Sequence, residues 1–196
     1  MEILHREADY VICRKQPGED SEHDLPAALQ EALGVQAYPV HRLDQNVGGL
    51  MVFALTKQAA ARFGALAETG ALEKEYVALV HGTPPARGDW EDLLFKDSRK
   101  NKVFCVKKER RGVRRARLEY QVLKAGERSL VRVHLHTGRS HQIRVQFSSR
   151  GFPLVGDHKY GSRAQETAPM LYSCCLAFPW RGTSRRYEDL PAWADG

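Results

Sequence analysis

The sequence predicts an α+β domain built on a mixed, largely antiparallel sheet with flanking helices and loops. Two observations lead to this fold class. Short apolar or alternating stretches, each typical of a strand, recur along the whole chain, and only a few helical segments lie among them. Many strands with a few interspersed helices argue for an α+β arrangement. At 196 residues, the chain is expected to form a single domain over residues 1–196.

The first 81 residues contain four predicted strands, and turn-forming residues end the first and the last of them. They cover residues 8–15, 38–41, 49–55 and 73–81.

Two helices are predicted between these strands. Asp24 is a candidate N-cap for a helix through residue 32, which Gly34 ends. Thr56 is expected to cap an alanine-rich helix that runs to Glu68.

The second half adds strands and one helix. Ser140 is the expected N-cap of this helix, and Ile143 and Phe147, four residues apart, give it a buried face. The strands are predicted at residues 103–106, 116–123, 129–136 and 170–178.

The positive charge of the chain is concentrated in one segment, residues 96–117, called the basic arm below. The whole chain carries +6, but the eleven Lys and Arg residues of the basic arm face only Asp97 and Glu109, so this segment alone carries +9. A basic arm on a slightly acidic body suits the phosphate backbone of a nucleic acid. The alternative is a solvated hairpin without a binding role.

Several features indicate a cytoplasmic protein. The sequence shows no signal peptide, no lipidation motif and no apolar stretch approaching ~18 residues, so no membrane association is expected. Its four cysteines form no C-x-x-C pair, which favours reduced and mostly buried thiols.

Asp44 occupies a distinctive place at a strand–loop–strand junction. It follows His41, Arg42 and Leu43, and the glycines at 48 and 49 lead into the apolar run 50–55. Rigid flanks of this kind can aim a carboxylate into a cleft. Taken alone, an aspartate before a glycine turn is more often ordinary loop chemistry.

Further motifs decide between these interpretations. Five short motifs follow one another at compatible spacings: HRLD at 41–44, KEY at 74–76, TGRSHQIR at 137–144, GFPLVGD at 151–157 and YG at 160–161. Together they resemble the RluA family of RNA pseudouridine synthases over nearly the whole chain. The third motif is long and specific, whereas HRLD alone would be weak.

The resemblance implies isomerisation of uridine to pseudouridine within RNA, without a cofactor or a metal. It makes Asp44 the catalytic carboxylate, places the Tyr76 ring on the target uracil, and puts the Arg144 guanidinium beside the aspartate, where it favours the ionised form. The expected substrate-binding residues are Arg42, His41, Arg139, Leu171 and Lys74.

The expected partner is structured RNA, a loop or stem-loop of ribosomal or transfer RNA, because a base must leave its stack to react. A monomer with no obligate protein partner is expected. The sequence departs from the family at Val47 and Gly48, which replace the usual Thr-Ser, and it begins directly at the first catalytic-domain strand, without the S4-type module that relatives often carry.

Two other functions fit parts of the sequence. A non-catalytic RNA-binding protein on the same fold is the main alternative, because the catalytic loop departs from the family pattern. A metal hydrolase is the other, because an H-x-H pair places both imidazoles on one strand face. Its candidate ligands are His134, His136 and His141, with Asp157 or His158.

Overall fold

The computed structural model describes residues 1–194. The strands of this part of the chain are β1 (Glu2–Arg6), β2 (Tyr10–Lys15), β3 (Tyr38–Pro39), β4 (Gly48–Ala54), β5 (Glu73–His81), β6 (Arg87–Asp97), β7 (Lys102–Val106), β8 (Val113–Lys124), β9 (Arg128–Leu135), β10 (Leu171–Trp180) and β11 (Thr183–Glu188). Its helices are α1 (Asp24–Leu33), α2 (Lys57–Glu68) and α3 (Gln142–Ser148), with short 3-10 turns at His158–Tyr160 and Ala192–Ala194.

The chain divides into two compact units. The first unit combines residues 1–74 with the C-terminal residues from 172 onward, and the second covers residues 75–171.

The first unit is a mixed sheet covered by helix α2. Its strands follow the order β1-β2-β4-β10, with β3 on β4 and β11 on β10. Only the β4–β10 pair is parallel among these pairs. Helix α2 buries Ala59 and Phe63 on the sheet, and the Phe63 ring stacks on Trp180 with centroids 4.4 Å apart.

The second unit is an antiparallel sheet in the order β5-β9-β8-β6-β7. Helix α3 packs on one face of this sheet. The centroid of the Phe147 ring lies 4.7 Å from that of Trp90 and 5.1 Å from that of Tyr120. Val145 joins a buried cluster with Leu94. The predicted α+β class and the mixed, mostly antiparallel sheet are confirmed.

Strand β5 has the predicted bounds, and the other predicted strands are present with shifted ends. Three strands were missed: β1, β6 and β11. The basic arm lies on a three-stranded segment of sheet. Strands β7 and β8, which contain residues 102–106 and 113–117 of the arm, both pair with the missed strand β6.

Two predicted helix caps are wrong and one is confirmed. Helix α1 has His23 at its N-cap, and Asp24 is its first residue; no side chain caps it. Helix α3 has His141, with φ of 51°, at its N-cap in place of Ser140. The Thr56 hydroxyl does cap α2, since its oxygen accepts a hydrogen bond of 3.0 Å from the Ala59 backbone N–H.

The cysteines agree with the sequence prediction. All four are reduced thiols, and Cys105 alone among them is not fully buried. Over residues 1–194, no helix combines the length and the apolar character needed to cross a membrane.

Candidate active site

A buried lysine holds the loop that carries Asp44. Lys15 ends strand β2, and its side chain is fully buried. Its ammonium group donates hydrogen bonds to the carbonyl oxygens of Val47 at 2.7 Å, Gln45 at 2.8 Å and Gln16 at 3.1 Å. An ammonium carries three donors and no acceptor, so converging carbonyls are the partners it needs when buried. The loop backbone is therefore fixed around one charged group.

Burial lowers the pKa of Lys15 to about 8, and the carboxylates of Glu19 and Asp44 act against this shift. The Asp44 carboxylate thus lies within electrostatic reach of the ammonium that anchors its loop. The sequence analysis placed Lys15 only at the end of the predicted strand 8–15 and missed this role. A lysine at the end of a mostly apolar strand, where the chain leads into a turn, was the available signal.

Other hydrogen bonds fix the backbone on both sides of Asp44. The Val47 N–H donates to the Asp44 carbonyl oxygen at 2.9 Å, which closes a turn. Before the aspartate, the Ser21 hydroxyl donates to the Leu43 carbonyl oxygen at 3.0 Å. After it, the Gly18 N–H donates to the Gln45 carbonyl oxygen at 2.8 Å. Asp44 itself is half-buried on this fixed loop.

The two glycines after the loop are set by close backbone approach. Gly49 has φ of +121°, and a Cβ there would lie 2.4 Å from the backbone oxygen of Ser173 on the parallel neighbour β10. Gly48 is less restricted, but a Cβ would still lie 3.2 Å from the Lys15 carbonyl oxygen and from Pro17. A serine in the usual family position would therefore crowd the turn that Lys15 closes.

His41 packs the HRLD motif onto strand β4. Its Nε2 accepts a hydrogen bond of 3.2 Å from the Val52 backbone N–H. Burial, with a smaller effect of the Lys74 charge, lowers the pKa of His41 to about 3. The imidazole is therefore neutral at physiological pH, as an acceptor of this bond must be.

The neighbouring predicted substrate residues of the first unit differ in exposure. The Arg42 guanidinium is exposed and forms an ion pair of 2.7 Å with Glu22. Lys74 is half-buried, burial lowers its pKa, and its ammonium lies 3.5 Å from the Leu72 carbonyl oxygen.

Tyr76 lies in the second unit, on the sheet face that helix α3 covers. It stands opposite Val133, which in turn stands opposite Tyr120, and residues directly across neighbouring strands share a face. The Tyr120 ring contacts Phe147 of α3. Only 5% of Tyr76 is exposed, so its ring is held by its surroundings.

Arg144 on α3 is held by Asp157. Its Nε donates to Asp157 Oδ2 at 2.7 Å and its Nη2 donates to Oδ1 at 2.9 Å, and both residues are buried. The guanidinium carbon also lies 5.1 Å from the centre of the Tyr160 ring. Sequence reasoning missed this partner; the G-D pair that follows the HQIR motif was the available signal.

Gln142 shapes the loop before α3. Its Oε1 accepts hydrogen bonds from the Thr137 hydroxyl at 2.8 Å and from the Arg139 backbone N–H at 3.0 Å. Arg139 is exposed, and its Nε donates to the Arg115 carbonyl oxygen at 3.0 Å. Leu171, the last predicted substrate residue, is buried at the start of β10.

The chain is similar to known proteins in both sequence and fold. A family model described as RNA pseudouridylate synthase matches residues 5–149. The chain belongs to this family. The dual-specificity RNA pseudouridine synthase RluA of Escherichia coli is 37% identical over 142 residues, which cover 69% of this chain and 63% of RluA. The ribosomal large subunit pseudouridine synthase D of Vibrio cholerae is 36% identical over 168 residues, 83% of this chain and 51% of that protein.

The fold of the family is confirmed by a solved structure. Human RNA pseudouridylate synthase domain containing 1 matches with a TM-score of 0.83 and 23% identity, over 97% of this chain and 83% of that one. The chain spans about half the length of the curated relatives it matches, with 42% of the relative from Chloroflexus aurantiacus.

The histidines proposed for a metal hydrolase are not assembled as a metal site. His136 Nε2 lies 2.7 Å from Glu119, and His141 Nδ1 shares a hydrogen bond of 2.8 Å with the Tyr160 hydroxyl. Within residues 1–194, no three His, Cys, Asp or Glu side chains are grouped so that they could hold a metal ion. In this family member His136 and His141 thus have hydrogen-bond partners of their own.

Proposed function

We propose that this chain converts uridine to pseudouridine in structured RNA, with Asp44 as the catalytic carboxylate. The observation that carries the proposal is the fixed Asp44 loop, which a buried lysine holds through three carbonyl oxygens in a member of the RNA pseudouridylate synthase family. A carboxylate that must act at one atom of a bound nucleotide needs such a pre-set backbone.

The reaction exchanges one bond of the ribose for another. The bond between uracil N1 and ribose C1′ breaks, the freed uracil rotates, and C5 bonds to C1′. C5 then loses its proton, and N1 carries one in the product. Oxidation state and water balance do not change, so the chemistry requires a nucleophile or base and no cofactor. Asp44 supplies that group.

Tyr76 is the proposed contact to the uracil. A flat ring can stack on a base, and the hydroxyl at its tip can accept or relay the C5 proton. The burial of Tyr76 supports this role, because a ring held by its neighbours loses little freedom when a base stacks on it.

Arg144 is the proposed counter-charge for the catalytic carboxylate. A site that closes over a base removes water, and burial alone would raise the pKa of a carboxylate. A guanidinium opposes this effect and cannot give up its own proton. The bidentate bond to Asp157 fixes the plane of the guanidinium, which supports a role that depends on orientation.

The proposed substrate is a uridine in a loop or stem-loop of ribosomal or transfer RNA. Flipping a base out of a duplex costs a few kcal/mol, roughly, and less in a loop or bulge. Arg42, His41, Arg139, Leu171 and Lys74 stay the proposed substrate-binding residues. We expect a monomer that works in the cytoplasm without a protein partner.

Nucleoside analysis tests this function. Unmodified ribosomal and transfer RNA transcripts are incubated with the protein and digested, and pseudouridine is separated from uridine by chromatography. We expect pseudouridine in a subset of transcripts with the natural protein and none with Asp44→Ala. A full transcript set that is bound tightly but stays unmodified would support the non-catalytic alternative instead.

A further inference from the structure

The second unit contains a cavity of about 270 Å³ whose charged lining is entirely basic. Lys96 of β6, Arg114 of β8 and Arg139 of the loop before α3 line it together with Ser140, Gly112 and Gly138. The cavity has roughly the volume of nine liquid water molecules, so a hydrated anion fits.

The three cations of this cavity have no carboxylate partner in the part of the chain that the structure describes. The guanidinium groups of Arg114 and Arg139 donate hydrogen bonds to the backbone carbonyl oxygens of Val113 and Arg115, respectively. On the same strand β8, by contrast, Arg115 and Arg117 are both paired with carboxylates. The positive charge of the cavity is therefore not neutralised, unlike that of the strand residues beside it.

Strand register places the cavity on a defined face of the sheet. Arg114 stands opposite Leu94, and Lys96 stands opposite Val103. Leu94 and Val103 belong to the buried cluster that packs on Val145 of α3. The cavity thus lies on the sheet face that carries Tyr76.

The wall contributed by Arg139 is also fixed. Its backbone N–H is bonded to the side chain of Gln142, the first residue of α3, and that residue also bonds to the Thr137 hydroxyl. The same helix carries Arg144 two residues later. A ligand in the cavity would therefore be held at a set position relative to Arg144.

We propose that this cavity binds a backbone phosphate of the substrate RNA on the strand that carries the target uridine. The inference rests on the proposed function and names a phosphate-binding site for it. Guanidinium groups match the geometry of phosphate oxygens, an ammonium adds a point charge, and the Ser140 hydroxyl adds a donor. One bound phosphate would set the register of the RNA while leaving base identity to other contacts.

The salt dependence of RNA binding tests the proposal. The variant Lys96→Gln/Arg114→Gln is compared with the natural protein, using a fluorescein-labelled stem-loop RNA that contains uridine, across a series of salt concentrations. Loss of one phosphate contact should lower the slope of log K against log salt by about 0.7. It should weaken binding roughly tenfold at low salt, the value of one charge-assisted hydrogen bond.

Two further variants serve as controls. Arg6→Gln/Lys57→Gln removes the same charge from exposed positions of the first unit and should leave the slope unchanged. Lys96→Arg/Arg114→Lys keeps the charge and should keep most of the slope. Equal slopes for the natural protein and the glutamine variant would overturn the proposal, provided that circular dichroism shows both folded.

Neutral methylphosphonate linkages locate the bound phosphate. At one position in the stem-loop, the neutral linkage should weaken binding to the natural protein but not to Lys96→Gln/Arg114→Gln. Binding of inorganic phosphate is measured by phosphorus NMR. If the glutamine variant loses this binding but keeps its affinity for the RNA, the cavity takes a free anion and the proposal fails. These assays need no turnover, so a phosphate site in a protein that forms no pseudouridine would refute the proposed function alone.

Discussion

Arg144 and Asp157 form a bidentate ion pair in which both side chains are buried, with N–O distances of 2.7 and 2.9 Å. Taking two charges out of water costs several kcal/mol, roughly, for each ion, so such a pair adds little net stability over apolar residues of the same size. What it does provide is one fixed orientation of the guanidinium. We interpret Asp157 as a positioning residue for Arg144.

Substitution of Asp157 by asparagine should therefore damage both folding and turnover. The buried guanidinium would lose the carboxylate charge of Asp157, and we expect a loss of about 3–5 kcal/mol in the free energy of unfolding. Urea denaturation measures this loss. Tritium release from RNA labelled at uridine C5 measures turnover, which should fall at temperatures where the variant is still folded.

Two comparisons separate orientation from stability. Glu91→Gln removes a partner of Arg115 at an exposed ion pair and should cost less than about 1 kcal/mol. The double variant Arg144→Met/Asp157→Leu should recover most of the stability but none of the turnover. An active double variant would remove Arg144 from the mechanism.

Replacement of Lys15 by methionine should loosen the loop that carries Asp44. Three carbonyl oxygens would lose the hydrogen bond that the lysine ammonium donates, at a cost on the order of 2–4 kcal/mol. Hydrogen exchange of the Val47 amide, which bonds to the Asp44 carbonyl oxygen, should accelerate. Lys57→Met at an exposed position is the matched control. Unchanged protection of Val47 would show that Lys15 does not hold the loop.

Conservative variants of Tyr76 separate its two proposed roles. Tyr76→Phe keeps the ring, so RNA affinity should persist while turnover falls by roughly 10²–10⁴-fold, the usual contribution of a proton-transfer group. Tyr76→Leu should lose affinity as well. Tritium release measures the turnover of both variants, and RNA binding at one salt concentration measures their affinity.

Tyr120→Phe is the matched control for these variants. Tyr120 lies on the same sheet face, and its buried hydroxyl has no hydrogen-bond partner among residues 1–194. Its removal should leave turnover unchanged and add about 1 kcal/mol of stability. A Tyr76→Phe protein as active as the natural one would show that the hydroxyl takes no part in proton transfer.

His41 should make folding sensitive to acid. Burial lowers its pKa to about 3, whereas an unfolded histidine titrates near ~6.5. Between these values the unfolded chain binds one proton more than the folded one, so stability falls as the pH falls. The expected slope is about 1.4 kcal/mol per pH unit.

Urea unfolding of His41→Gln isolates this effect. The amide oxygen of glutamine can still accept the Val52 N–H bond but does not titrate, so the loss of stability between about pH 6.5 and pH 3 should be shallower by one proton. His23→Gln, at a side chain that is 82% exposed, should follow the natural protein. If stability fell with pH equally in the natural protein and in His41→Gln, the lowered pKa of His41 would be contradicted.

Local sequence was sufficient for much of the fold. Strand β5 alternates only in part, but the Gly-Thr-Pro-Pro turn at 82–85 marks its end, and the oxygen of Thr56 caps the helix that follows it. Strand β6 was missed because charged residues interrupt its apolar positions, and β1 and β11 are mostly exposed edge strands with little apolar pattern. The α3 start was misplaced because His141 adopts a left-handed conformation that its sequence does not announce.

The supporting contacts of the site were out of reach for the opposite reason. Lys15 meets the Gln45 and Val47 carbonyls about 30 residues away along the chain, and Arg144 meets Asp157 thirteen residues away. No local period or propensity encodes such pairs. The motifs indicate the candidate functional residues, and only the tertiary structure shows which residues hold them in place.

Tritium release from RNA labelled at uridine C5 tests the central claim most directly, with the natural protein, Asp44→Asn and Asp24→Asn assayed in parallel. Asp24 is exposed at the start of α1 and provides the matched change. We expect equal release by the natural protein and Asp24→Asn, and none above background by Asp44→Asn, although it still binds RNA. Release by Asp44→Asn at a rate near that of the natural protein would contradict the catalytic role of Asp44.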